Sequence, residues 1–179
     1  AMMMTYTCAL YAILIFGLCG WLFSFATRHY SHVDCMWSLF MVLTAFTTAI
    51  FVIDLSTRGI VVLCFVTLWA LRLSIHIGTR NWGKEDHRYE TIRLNNEPFF
   101  WLKSIYIVFG FQAILAWVIS YPLYVAIASK PPMSWIDGIA TLIFLTGFYW
   151  EVTADLQLTK FRAQAANNHA VLDTGLWRY

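Results

Sequence analysis

The chain has 179 residues, of which 60% are hydrophobic and only 12% charged, with mean hydropathy +0.62. A soluble domain carries about 25% charged residues, so this composition excludes a water-soluble body and fits a chain whose outer surface meets lipid. A net charge of +2 with no run of basic residues excludes a nucleic-acid partner.

The first apolar run, Thr5 to Ala26, has no basic residue before it and no small-residue cleavage site after it. It therefore reads as a retained membrane helix and not as a secretory signal. A spanning helix needs roughly 20 mostly apolar residues, and four more stretches meet that need: Met36–Ile53, Gly59–Ile77, Ser104–Ile127 and Trp135–Leu156. The predicted links are Arg28–Asp34, a tight turn around Ser56–Arg58, the polar stretch Thr79–Lys103, and Ser129–Ser134 with its two prolines. After the fifth helix the chain becomes mixed and polar. The expectation is an all-α, polytopic transmembrane bundle of about five spanning helices, forming one integral membrane domain over residues 1–179. No repeat or second domain is visible.

Nine of the twelve basic residues fall on one side of this topology, and only Arg58 and Lys130 on the other. Cytoplasmic loops collect Lys and Arg, so Thr79–Lys103 and the C-terminus are expected in the cytoplasm and the N-terminus outside. Tyr6, Trp37, Trp101, Tyr121 and Trp135 near helix ends fit interfacial belts. Cys8, Cys19, Cys35 and Cys64 have no paired spacing and sit in or beside apolar runs, where they act as apolar filler.

Ionisable residues inside a membrane helix cost about 2.5–3.5 kcal/mol on insertion scales and mark function by default. The third helix carries Arg72, His76 and Arg80, a spacing of four that puts all three on one face. The same stripe would also arise if Arg80 reached the interface and Arg72 paired with a carboxylate to hold helices together. Near the end of the fifth helix, Glu151 and Asp155 lie close to one face with Arg162. Interfacial exposure, pairing with the third helix and acid–base work are all compatible with that spacing. Asp34 opens the second helix just after His29 and His32, and an N-terminal cap or interfacial polar group is expected there in place of a metal site. The segment Arg80–Arg93 is dense in both signs. Its guanidinium groups suit phosphate oxygens, although the chain has no glycine-rich nucleotide fingerprint.

These segments carry a resemblance. ALRLSIHIGTRNWGKEDHRY (Ala70–Tyr89), FWLKS (Phe100–Ser104), the stretch from Glu151 to Phe161, VDCMWSLF (Val33–Phe40) and above all LDTGLWRY (Leu172–Tyr179) are similar to the steroid 5-alpha reductase-like membrane family, in its broad bacterial branch. That resemblance implies a bundle of six or more helices in the complete fold, an integral protein of the bacterial inner membrane, and NADPH bound from the cytoplasmic side. It implies reduction of a carbon–carbon double bond conjugated to a ketone in a lipid-soluble steroid-like, polyprenyl or fatty substrate. The implied catalytic residues are Asp34, His76 and Arg72. The implied cofactor residues are Arg80, Asn81, Arg88, Glu151, Asp155, Lys160, Arg162, Arg178 and Tyr179; no metal is implied. Asp155 matches the family's aspartate and Arg162 a cofactor-contacting arginine, whereas Glu151 stands where steroid reductases carry asparagine. The family pattern continues past LDTGLWRY into further helices, so a chain lacking its C-terminal part is expected. A related scaffold serves the isoprenylcysteine carboxyl methyltransferases, which use S-adenosylmethionine. A methyltransferase is therefore one alternative, and a non-enzymatic membrane scaffold or transporter is another.

Overall fold

The computed structural model describes residues 2–164 and 170–179. Among these residues the chain is all-α, and five helices are long and apolar enough to cross a membrane, as the apolar runs predict. The chain divides into two compact units, Ala1–Pro132 and Met133–Tyr179.

The first unit contains α1 (Met2–Thr27), α2 (His32–Phe51), α3 (Thr57–Arg80), a short α4 (His87–Asn95) and a composite fourth span, Phe100–Ala128. Helix α2 packs against both α1 and α3 and is the most buried of the spans. Close approach to α1 is set by small residues: a side chain at Gly20 would run into Met36, and one at Gly17 would touch Phe40 and Ala113. Lipid tails are as apolar as leucine, so such packing and interhelical hydrogen bonds hold membrane helices together. Helix α2 supplies two of these bonds: the Ser38 hydroxyl donates to the Ala70 carbonyl at 3.0 Å, and Thr44 bonds Ser120 at 2.9 Å. Both side chains on α2 are fully buried.

The composite span starts as α5 (Phe100–Ser104), widens into a π-helical turn (Ile105–Gly110), and resumes as α6 (Phe111–Ile119) and α7 (Tyr121–Ala128). The sequence predicts one continuous helix here. Gly110 permits the π turn, because a Cβ at that position would lie 2.8 Å from the Ile105 carbonyl oxygen. The break at Ser120 precedes Pro122, which lacks an N–H and whose ring crowds the carbonyl four residues back.

The two ends of this unit differ. At one end Tyr6 stacks on Trp117 with centroids 4.5 Å apart and meets Tyr124 at 5.1 Å, while the Trp117 indole donates to the Tyr6 carbonyl at 2.9 Å. At the same end Arg58 donates to the Ser129 hydroxyl at 2.8 Å and to the carbonyls of Pro131 and Pro132. Lys130 reaches back to the carbonyls of Ile53 and Asp54. The two cations thus cap each other's loops. At the other end lie the start of α2, the end of α3 and all of α4, which carry the charged segment.

Helix α2 begins at His32, not at Met36, which changes the reading of Asp34. Ser31, not Asp34, holds the cap position, and Asp34 lies in the first turn with its carboxylate directed elsewhere. That carboxylate bonds Arg88 and Tyr89 instead, and a guanidinium–carboxylate bond carries charge on both partners. Helix α4 also departs from the polar loop expected for Thr79–Lys103. Asp86 caps it, its side chain accepting the Arg88 N–H at 3.0 Å.

In the second unit, Asp137 accepts the Ser134 N–H at 2.7 Å to start α8 (Trp135–Arg162), which runs beyond Leu156 to end on Lys160 and Arg162. Cations in a last turn favour a helix C-terminus. A 3₁₀ turn, Gly175–Arg178, folds back on this helix: the Leu176 N–H meets Gln157 at 2.9 Å and the Trp177 indole meets the Ala154 carbonyl at 3.0 Å. Gly175 has φ +64°, and a Cβ there would strike the Gln157 side chain.

Candidate active site

The charged segment is assembled around Asp34. One carboxylate oxygen accepts the Tyr89 hydroxyl at 2.6 Å, and the other accepts Arg88 Nη2 at 2.9 Å. Arg88 also forks onto Asp86, with Nε at 3.1 Å and Nη2 at 3.0 Å from its two oxygens. From the fourth span, Gln112 Nε2 donates to Tyr89 Oη at 3.2 Å. The chain Asp86–Arg88–Asp34–Tyr89–Gln112 therefore runs from an exposed guanidinium to a phenol only 5% exposed.

Helix α4 is held here by a second contact. Glu85, just before its cap, accepts the backbone N–H of Tyr30 at 2.7 Å and of Ser31 at 3.1 Å, and lies 3.5 Å from the His29 ring. These bonds satisfy donors in the α1–α2 link, where no side chain caps α2. Tyr30 packs on Phe100 at 4.8 Å, and its burial raises the phenol's pKa, with the Glu85 charge adding to the effect.

The electrostatics follow from this wiring. Hydrogen bonds from Arg88 hold the Asp86 carboxyl below the usual carboxylate range. Burial pushes the Tyr89 phenol well above its ordinary value, and the hydrogen bond to Asp34 raises it further. Tyr89 therefore stays protonated in the folded chain at any physiological pH. An unfolded tyrosine titrates near pH ~10. The stability contributed by the raised phenol is fully present below that value and is lost as pH rises from there towards the folded pKa. Stability should fall by up to about 1.4 kcal/mol per pH unit above pH ~10 from this group. Replacing Tyr89 by Phe should flatten that slope in alkaline unfolding curves.

The structure brings together some of the sequence-selected residues. Asp34 and Arg88 are bonded directly. Arg80 and Asn81 end α3 beside them, joined at 3.2 Å, and the Arg80 charge also lowers Asp86. Arg88, expected to face phosphates, is instead engaged by two carboxylates. Arg72 and His76 lie on the same continuous α3, two turns and one turn before Arg80. Glu151, Asp155, Lys160, Arg162, Arg178 and Tyr179 belong to the second unit. There the 3₁₀ turn docks near the end of α8 that carries Lys160 and Arg162, and those two, Arg178 and Tyr179 are exposed.

Three members of the network were not selected from sequence: Tyr89, Asp86 and Gln112. Tyr89 reads there only as an aromatic among charges. Gln112 offers a signal, being a carboxamide in the run Phe111–Ile119 whose other side chains are all apolar. An apolar cavity of about 250 Å³ lies between α1 and the π turn, lined by residues including Leu14, Gly17, Phe109 and Ala113.

Searches of curated proteins and of solved structures gave no match. Residues 20–179 match the family described as "Protein of unknown function (DUF1295)", and the chain belongs to that family.

Proposed function

We propose that this protein is a membrane-embedded, NADPH-dependent reductase of the conjugated carbon–carbon double bond in a lipid-soluble enone. The observation that carries the reading is the buried Tyr89 phenol, kept protonated and hydrogen-bonded to Asp34 at the boundary of an apolar helical unit. Such a group suits the developing charge on an enone oxygen. The resemblance to the steroid 5-alpha reductase-like family supports the same chemistry.

The basic residues divide in their fit to a dinucleotide. Lys160, Arg162 and Arg178 are exposed cations of the kind that hold phosphates, and Arg80 is exposed as well. Arg88 does not fit that role, since Asp34 and Asp86 occupy its guanidinium. When bound, NADPH supplies the hydride. The β-carbon of the enone takes it, and the π electrons move onto the carbonyl oxygen. The Tyr89 O–H, which donates to Asp34 in the free protein, turns to that oxygen and passes its proton there, and the enol so formed tautomerises to the saturated ketone. Asp34 orients the phenol and, with its other oxygen on exposed Arg88, connects it to solvent for reprotonation. Arg88 and Asp86 hold Asp34 in place.

The test is to purify the full-length protein in mild detergent and identify small molecules that come with it by mass spectrometry. NADPH consumption is then followed with β-ionone as an enone probe. Recovery of NADPH or NADP⁺ and loss of the probe's conjugated double bond are expected. Recovery of S-adenosylmethionine would instead assign a methyltransferase, and no nucleotide binding on titration would overturn the enzyme reading.

A further inference from the structure

We propose that the turn Asn81–Lys84, just past the end of α3, is a docking surface for anionic lipid headgroups, with Trp82 seated in the bilayer interface and Lys84 on the lipid phosphate. This surface is separate from the Asp34–Tyr89 network and does not depend on the reductase reading.

The turn follows directly on a membrane span. Helix α3 runs from Thr57 to Arg80, so the residues after it stand at the level of the headgroups. The Lys84 N–H donates to the Asn81 carbonyl at 3.1 Å and closes the turn, while Gly83 supplies the left-handed φ of +68° that it requires. A Cβ placed on Gly83 would meet no atom within 4 Å among the described residues, so the turn stands clear of the packed helices. Trp82 occupies its first corner and is 86% exposed. In water that indole leaves a large apolar surface unburied. At a membrane interface the ring lies against hydrocarbon while its N–H keeps a polar partner.

Charge selects the kind of lipid. Exposed cations flank the indole, Arg80 before it and Lys84 after it. The next two acids are turned to other partners: Glu85 accepts the Tyr30 and Ser31 N–H groups, and Asp86 accepts Arg88. The tip of the turn is therefore cationic, although its sequence carries both signs. The Lys and Arg bias assigns this end of the span to the cytoplasmic leaflet, whose anionic surface attracts basic residues. A site for a free anion needs no exposed indole, whereas a lipid surface uses both the ring and the charge.

The test titrates the full chain, held in dodecyl maltoside micelles, with dioleoyl phosphatidylglycerol and follows thermal unfolding. The melting temperature should rise with this lipid, and rise less with phosphatidylcholine of the same chains. Lys84→Gln should move the midpoint of the titration to about fivefold more lipid, the worth of one basic residue near an anionic surface. Trp82→Ala should move it at least as far, and Trp82→Phe should keep part of the affinity, since an aromatic ring remains. Both side chains are exposed, so these variants should unfold like the wild type without added lipid. Equal titrations for the wild type, Lys84→Gln and Trp82→Ala would overturn the assignment, as would an equal response to phosphatidylcholine. Stabilisation by free glycerol phosphate that is lost in Lys84→Gln would overturn it too, by assigning a small-anion site in place of a lipid surface.

Discussion

Tyr89→Phe should lower the turnover of an enone about 10²–10⁴-fold, the range that a positioned proton donor contributes, while leaving nucleotide affinity unchanged. The hydroxyl is the only atom removed, and the ring still fills its place in the core beside Phe100 and Val108. Asp34 keeps Arg88, and Gln112 loses its one partner. Two hydrogen bonds go with the hydroxyl, so the stability cost should be about 1–3 kcal/mol. Stopped-flow NADPH oxidation under single-turnover conditions separates the two effects. A variant that binds nucleotide and reduces the probe at the wild-type rate would remove Tyr89 from the chemistry.

Asp34→Leu is expected to have the largest effect on stability, about 2–4 kcal/mol. It leaves the Tyr89 hydroxyl buried without its acceptor, at about 1–3 kcal/mol. It also removes one of the two carboxylates on Arg88, a smaller loss because that guanidinium is 65% exposed and still held by Asp86. Asp34→Asn keeps an acceptor for Tyr89 and should cost only about 1 kcal/mol. Thermal unfolding in one detergent ranks the two variants. Limited proteolysis between Asn81 and Asn96 reports whether α4 has come loose, as expected for Leu and not for Asn. Equal stability of both variants would show that the Tyr89 bond contributes nothing to the fold.

The long apolar runs made the five spans legible, because a stretch without charges has no other stable place to go. What escaped the sequence were features decided by partners far along the chain. Asp34 reads locally as a cap, yet its partners Arg88 and Tyr89 are 54 and 55 residues away. Helix α4 has nine residues and buries only Tyr89, so no periodicity announces it. Arg88 stands out in the sequence by its charge alone, and sequence cannot tell a guanidinium spent on carboxylates from one open to phosphate. The π turn leaves no pattern beyond one glycine, and without it nothing singles out Gln112 for contact with α4. The fold was thus readable from hydropathy, whereas the site was readable only in its charged members.

The reciprocal capping by Arg58 and Lys130 has a mechanical consequence. Together with the Tyr6–Trp117 stack, it clamps one end of the four-span unit across α1, α3, the composite span and the loops between them. Any splaying of the helices to admit a guest from the bilayer must then pivot about that clamped end. Displacement grows with distance from a pivot, so a small angular change is largest where Asp34, Tyr89 and the Glu85 bonds lie. The unit is built as a pair of tweezers, fused at the heel and held at the tips by hydrogen bonds that such a motion would have to break.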